Sequence, residues 1–191
     1  MQRPESGVPS GSSVPPCESV RGLYYGLGYD RSLMITSDQF RRVMSNFATG
    51  ITVVTTHDSN GQPCGLTVNS FASVSLDPLL VLVCFDKKLS SLQAFKDSKW
   101  FGVSMLSKRQ EDLSRLFAKR DSERPVTLYF QGRLGMPLLK NSLAVMECET
   151  LDIYPGGDHL IFLGEVKNAE VLQVEEPLLY FRGKYRTLDG D

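Results

Sequence analysis

A row of neutral polar side chains is the first feature of this chain that could do chemistry. Between residues 66 and 76 the sequence alternates with a period of two, which predicts one strand with a buried face. The odd positions hold Thr67, Asn69, Phe71, Ser73 and Ser75, and the even positions hold Leu66, Val68, Ser70, Ala72, Val74 and Leu76. Since neither set carries a charge, the polar row would suit an uncharged polar ligand. A solvated strand face is an equally good interpretation of this pattern.

A second group of polar residues follows the apolar run that ends at Phe85. Lys87, Lys88, Ser90 and Ser91 lie between that predicted strand and a short predicted helix. The start of a helix next to a cation favours an anion. For the residues alone, a solvated turn with a serine cap is the more ordinary interpretation.

The chain has only two histidines, and they differ in context. His57 precedes an Asn-Gly turn and is predicted to lie at the surface. His159 follows Gly157 and Asp158 at the start of a strand, and for the residues alone a plain turn residue is the more ordinary interpretation.

Aromatic and basic residues near the end of the chain form a third candidate group. Tyr180, Arg182, Lys184 and Arg186 alternate along the last predicted strand and could be either ligands or an edge protected by charge. Phe117 lies on the apolar side of a predicted helix. It could belong to the core or cover a ligand.

The elements that must position these residues are mostly strands. A helix is predicted to begin at Thr36, where Gln39 completes a capping box, and Phe40, Val43, Met44 and Phe47 form its apolar face. The β-branched run 50–57 and the Asn60-Gly61 turn predict a hairpin leading into the polar strand. Further strands are predicted at 100–106, 143–153, 159–174 and 178–181, and 119–139 is predicted to be a surface loop. Six or seven strands with three short helices indicate a mainly β, antiparallel barrel.

Composition limits the possible function. The 191 residues suit one domain, and a net charge of −1 argues against a nucleic-acid partner. No apolar run reaches the roughly 20 residues that span a membrane. Four scattered cysteines and two distant histidines support no metal site, and reduced thiols would fit a cytoplasmic protein. Residues 1–20 are predicted to be a disordered tail, 21–35 an irregular covering segment and 36–191 the folded domain.

Several stretches together resemble the flavin reductase-like family. They are TGITVVTT at 49–56, GLTVNSFASVSLDPLLVLVCFD at 65–86, the Gly-Asp-His triplet at 157–159 and PLLYFRGKYR at 177–186. The resemblance runs from about residue 40 to residue 186. It implies an antiparallel FMN-binding split barrel with a few short flanking helices, and a homodimer.

The resemblance also implies an activity, which is NAD(P)H-dependent reduction of FMN or FAD, with reduced flavin passing to a partner monooxygenase. His159 would be the polar group beside the reacting rings, and Lys87, Ser90 and Ser91 would hold the flavin phosphate. The residues implied to contact the cofactor are Thr67, Asn69, Ser70, Ser73, Val74, Ser75, Lys87, Ser90, Ser91, Phe117, Asp158, His159, Tyr180 and Arg182. Two alternatives remain open at this point: a non-enzymatic flavin or haem carrier on the same barrel, and a flavin-dependent reductase of a corrinoid or a ferric complex.

Overall fold

A computed structural model describes residues 35–119 and 122–188. The predicted tail at 1–20, and all of the predicted covering segment except Ile35, lie outside the described residues. The α-helices are α1 (Ser37–Met44), α2 (Leu92–Ser98) and α3 (Glu111–Ala118). The strands are β1 (Thr49–Gly50), β2 (Thr52–His57), β3 (Pro63–Val68), β4 (Phe71–Leu76), β5 (Leu79–Asp86), β6 (Trp100–Met105), β7 (Tyr129–Gln131), β8 (Pro137–Leu139), β9 (Ala144–Gly156), β10 (His159–Val171), β11 (Leu179–Phe181) and β12 (Lys184–Arg186).

One antiparallel sheet of seven strands dominates the structure. Its strand order is β3-β2-β6-β9-β10-β5-β4, and two small sheets, β1-β11-β12 and β7-β8, accompany it. The predicted hairpins are present, because β2 turns into β3 at residues 58–62 and β9 turns into β10 at 157–158. The sheet therefore carries β3 and β4, the two halves of the polar row, at its opposite edges.

Apolar side chains form two cores. The larger core lies against the sheet and is centred on Phe85, which packs its ring 4.6 Å from that of Phe95 and 4.9 Å from that of Phe162. The smaller core includes Ile51 and Phe117 and joins α3 to the strands β2 and β8. These cores fix where the loops between β5 and α2, and between α3 and β7, approach each other.

The predicted strand over 66–76 is wrong in one important respect. The chain forms two strands, β3 paired with β2 and β4 paired with β5, and it breaks between them at Asn69 and Ser70. Ser70 Oγ donates to the Cys84 carbonyl at 2.9 Å and accepts from the Cys84 amide, so the hydroxyl takes the place of a ladder partner at the break. Beyond the break the even-numbered residues are not the buried ones. Leu76 is 87% exposed, whereas the odd-numbered residue Phe71 packs on the core.

The predictions for two other segments also need correction. Residues 119–139 are not only a surface loop, because they contain the β7-β8 hairpin, in which Leu138 and Leu139 are fully buried. The segment 178–186 is not one strand with alternating side chains. It is the hairpin β11-β12, which turns at Arg182 and Gly183, both of which have positive φ.

Helix α1 shows the predicted cap but not the predicted burial. The Thr36 side chain accepts from the Gln39 amide and the Gln39 side chain accepts from the Thr36 amide, which completes the capping box. Every residue of the apolar face is nevertheless exposed in the single chain, from Met44 at 47% to Phe47 at 69%. The periodicity is correct, and this face has no cover in the described part of the chain.

Candidate functional site

A cavity between β3 and α3 brings four of the predicted residues together. We call it the β3-α3 cavity; its volume is about 200 Å³. Its lining comprises Gly65, Leu66, Thr67, Leu89, Ser90, Ser91, Phe117, Ala118, Lys119 and Arg124. Thr67 is presented by β3, Ser90 and Ser91 by the loop before α2, and Phe117 by the last turn of α3. Phe117 is therefore both a core residue, 1% exposed, and a wall of the cavity.

Lys119 and Arg124 are functional candidates that sequence reasoning missed. Both line the β3-α3 cavity, and none of the described residues in its lining is a carboxylate. The Arg124 guanidinium lies over the Phe117 ring, 5.1 Å from the centroid, and its Nη2 donates to the Lys119 carbonyl at 3.1 Å. The charged composition of residues 119–124 was visible in the sequence, but nothing in the spacing connected it with Ser90 and Ser91.

The polar atoms of the cavity differ in whether they already have a hydrogen-bond partner. Thr67 Oγ1 donates to the Ser114 carbonyl at 2.7 Å, so its hydrogen is already used. Ser91 caps α2 by position without a side-chain hydrogen bond to the helix. Arg124 Nε is buried and has no acceptor within the described residues. Hydroxyls and cations thus provide donors that the protein itself leaves unused, which suits an anionic or oxygen-rich ligand.

A second, apolar cavity lies at the other end of β3. Its volume is about 190 Å³, and Asn69 and Phe71 line it together with Thr49–Gly50 and Leu178. The buried Thr49 Oγ1 has no hydrogen-bond partner in the described chain. Because Thr67 and Asn69 are two residues apart, they lie about 7 Å apart along the chain, one at each cavity.

The Gly-Asp-His turn forms a separate cluster at the β9-β10 hairpin. His159 Nδ1 lies 2.8 Å from Asp158 Oδ1, and this hydrogen bond, together with the charge of His159, holds the pKa of the Asp158 carboxyl below its usual value. Lys87 Nζ donates to the Gly157 carbonyl at 2.6 Å, and the Lys87 amide donates to the Asp158 carbonyl. Lys87 therefore supports this turn and does not line the β3-α3 cavity.

The remaining predicted residues do not join either cavity. Ser73, Val74 and Ser75 lie on the edge strand β4, and Ser75 Oγ accepts from the Asp77 amide. Tyr180 packs edge-to-face on Tyr185. Arg182 donates from its amide to the Ser45 carbonyl and from Nε to Asn46 Oδ1, which ties the β11-β12 turn to the end of α1.

A third cavity, of about 450 Å³, contains none of the predicted residues. It lies beside Gln110 and Leu128, and one of its two cations, Arg109, is paired with the Glu175 carboxylate at 3.3 Å. Size is therefore a poor guide to the site here. The unpaired donors of the β3-α3 cavity give a stronger chemical argument.

Comparison with known proteins identifies the protein family. The model of the flavin reductase like domain matches residues 44–189. The chain belongs to the flavin reductase-like family. It is 36% identical over 154 residues to the reductase subunit HsaB of a flavin-dependent monooxygenase from Rhodococcus jostii (strain RHA1), covering 80% of this chain and 78% of that protein. It is 38% identical over 175 residues to the NADH-dependent FMN reductase AsuE2 of Streptomyces nodosus subsp. asukaensis, covering 87% and 93% of the two chains.

A solved structure supports the same assignment. The NADH:FAD oxidoreductase SgcE6 of Streptomyces globisporus C-1027, in complex with NAD and FAD fragments, matches with a TM-score of 0.74 and 40% identity over 81% of this chain and 94% of that chain. The predicted family and the predicted antiparallel split barrel of the flavin reductases are confirmed. Within residues 35–119 and 122–188, no helix has the length and apolar character needed to cross a bilayer. No group of three metal-binding side chains comes together in those residues.

Cys64, which precedes the cavity residue Gly65 in β3, is expected to be unreactive. Burial, assisted by the charge of Asp58, raises the pKa of Cys64 to about 11, and burial raises the pKa of Cys148 to about 12. Because the thiolate is the reactive form, a pKa raised from 9.0 to about 11 leaves about a hundredfold less thiolate at pH 8.

We therefore expect alkylation of Cys64 at pH 8 to be about a hundredfold slower in the folded protein than in urea, and to accelerate up to pH 10. Peptide mass spectrometry after timed labelling measures this rate. Equal labelling rates in the folded and unfolded protein would contradict the burial of this thiol.

Proposed function

We infer that this protein is an NAD(P)H-dependent flavin reductase, an oxidoreductase that moves a hydride from the nicotinamide to FMN or FAD. The observation that carries the inference is the β3-α3 cavity on the barrel of this family. Two cations, three hydroxyls and an aromatic wall converge there, and no carboxylate lines the cavity within residues 35–119 and 122–188. That donor set fits a phosphorylated flavin better than a neutral or cationic ligand.

The residues that would hold the flavin come from β3, from the loop before α2 and from α3. Ser90 and Ser91 would donate hydrogen bonds to the phosphate, and Phe117 would cover an apolar part of the molecule. Thr67 and Asn69 would lie beside the part of the ligand that extends toward the apolar cavity. The hydroxyl of Ser70 is engaged with Cys84, so a flavin contact at that residue would come from its backbone.

The flavin, when bound, supplies the hydride-accepting chemistry, so the protein needs no acid–base pair of its own. Its residues have to hold the two reactants in register and keep water away from them. We assign the nicotinamide side to the Gly-Asp-His turn. Lys87 fixes the backbone of this turn at Gly157, and Asp158 orients the His159 ring through Nδ1.

The product would be used by a second protein. HsaB is named as the reductase subunit of a flavin-dependent monooxygenase, and this chain covers most of its length. We propose that this chain likewise supplies reduced flavin to a partner monooxygenase. The described cysteines Cys64, Cys84 and Cys148 are free thiols, which fits the cytoplasmic location that we propose.

The proposed activity is tested by following loss of NADH or NADPH with FMN, FAD or riboflavin as acceptor. We expect saturable, enzyme-dependent oxidation of at least one nicotinamide with FMN or FAD. Tight flavin binding without nicotinamide oxidation would instead support the non-enzymatic carrier. Turnover only when a corrinoid or a ferric complex is added would support the reductase of another acceptor.

We further propose that the protein is a homodimer. The α1 face formed by Phe40, Val43, Met44 and Phe47 is exposed, and so are Val74, Leu76 and Leu79 at the β4 edge. Exposed apolar surface of this kind is typical of an interface. Each of the two cavities beside β3 is also smaller than the roughly 300 Å³ of an ordinary cofactor pocket, so a second copy could complete the site.

The dimer gives a direct prediction. Sedimentation velocity at micromolar concentration is expected to show a species of about twice the chain mass of 21.3 kDa. A single monomeric species that still reduces flavin would contradict both the dimer and its part in completing the site.

A further inference from the structure

Arg124 carries an unused hydrogen-bond donor in the part of the site that we assign to the flavin. Its Nε is buried and has no partner within residues 35–119 and 122–188, whereas its Nη2 is held by the Lys119 carbonyl. Leaving a buried charged donor unpaired is costly. A structure that keeps one at a cavity wall is therefore suited to a ligand that supplies the acceptor.

The surroundings of Arg124 select the charge of that ligand. Among the described residues the cavity lining holds a second cation, Lys119, and no carboxylate, and neither cation forms an ion pair with a described carboxylate. The Phe117 ring supports the guanidinium plane from one side. Arginine held in this way is pre-organised for the oxygens of a phosphate, because its planar fork does not need to be ordered on binding.

Lys87, the cation that the sequence favours for the phosphate, is arranged differently. Its Nζ donates to the Gly157 carbonyl, and it does not line the cavity that contains Ser90 and Ser91. Binding a phosphate would require Lys87 to leave this contact. Arg124 would have no comparable contact of Nε to give up.

We propose that Arg124 is the residue that makes this protein select phosphorylated flavins over riboflavin. The inference rests on the proposed function, since it assigns the phosphate of the flavin to the β3-α3 cavity. Arg124 contacts the phosphate directly, and Lys119 adds charge at the rim. Lys87 acts instead on the hairpin that carries His159.

The test compares the binding of riboflavin, FMN and FAD to the full-length protein by fluorescence quenching, at one ionic strength because salt screens the contact. In Arg124→Gln, affinity for FMN and FAD is expected to fall about ten- to a hundredfold, while riboflavin affinity changes less than about twofold. Arg124→Lys should restore part of the preference. Arg115→Gln is the matched control, because Arg115 lies on α3, pairs with Glu111 and does not line the cavity.

Each outcome decides between the assignments. Unchanged FMN-to-riboflavin preference in Arg124→Gln overturns the inference, and so does a collapse of that preference in Lys87→Ala instead. Equal losses for all three flavins, with an unchanged melting temperature, would also overturn it, because the effect would then not depend on the phosphate. If the unmodified protein binds no flavin and oxidises no nicotinamide, the proposed function fails. If it reduces flavin and Arg124→Gln keeps its preference, only this inference fails.

Discussion

Glu147→Ala is expected to lower the free energy of unfolding by about 3 kcal/mol or more, because it leaves buried donors without acceptors. Glu147 is 0% exposed and lies near the start of β9. Its Oε1 accepts from the Leu134 amide at 2.8 Å and from the Met136 amide at 3.1 Å, and its Oε2 accepts from Asn168 Nδ2 at 2.9 Å. One carboxylate therefore holds the turn between β7 and β8 against the main sheet.

The turn is closely fitted to this carboxylate. A Cβ at Gly132 would lie 2.4 Å from Glu147 Oε1, so the chain can pass here only as glycine. The same hairpin follows the loop that carries Arg124. Loss of Glu147 is expected to loosen one wall of the β3-α3 cavity as well as the core.

Urea unfolding followed by circular dichroism, at one protein concentration, measures the effect. Glu149→Ala is the matched control on the same strand, because Glu149 is 43% exposed and only approaches Lys167 Nζ at 3.5 Å. Its removal is expected to cost less than about 1 kcal/mol. Similar losses in the two variants would show that Glu147 does not hold the turn.

His159→Ala is expected to slow flavin reduction by NAD(P)H, or to raise the KM for the nicotinamide, by about tenfold or more, while flavin affinity stays nearly unchanged. The reason is that His159 lies in the Gly-Asp-His turn and not in the β3-α3 cavity. A polar group that positions a reactant typically contributes a factor of this size or larger. Stopped-flow reduction of bound flavin, measured over a range of NADH and NADPH concentrations, separates the rate from the binding.

The other histidine provides the control for this experiment. His57 ends β2 at the Asn-Gly turn, on a different hairpin, and His57→Ala is expected to reduce flavin at the unmodified rate. Asp158→Asn should give a smaller defect than His159→Ala, because it removes only the charge that orients the imidazole. If His159→Ala reduces flavin at the original rate and with the original NAD(P)H dependence, His159 is only a turn residue and the prediction is wrong.

Local features of the sequence were sufficient to predict much of this fold. Thr36 and Gln39 formed the predicted capping box, and the Asn60-Gly61 turn formed the predicted hairpin, because these structures depend on residues within a few positions of each other. The family was also recognised from short stretches, which are confirmed by the domain match. Of the fourteen residues that the resemblance implied for the flavin, Thr67, Ser90, Ser91 and Phe117 line one cavity.

Other parts of the structure depend on contacts between distant residues. The polar row is cut at Ser70 because its hydroxyl bonds to Cys84 and because β3 and β4 pair with different strands, and no local pattern records either contact. The same is true of Arg124, which reaches the cavity only because the β7-β8 hairpin packs on the core. Periodicity predicts which side of a segment is apolar, but which segment packs against that side depends on tertiary contacts. For that reason the sequence alone determined the cap, the turns and the family of this protein, and the tertiary structure decided which cations and hydroxyls share one cavity.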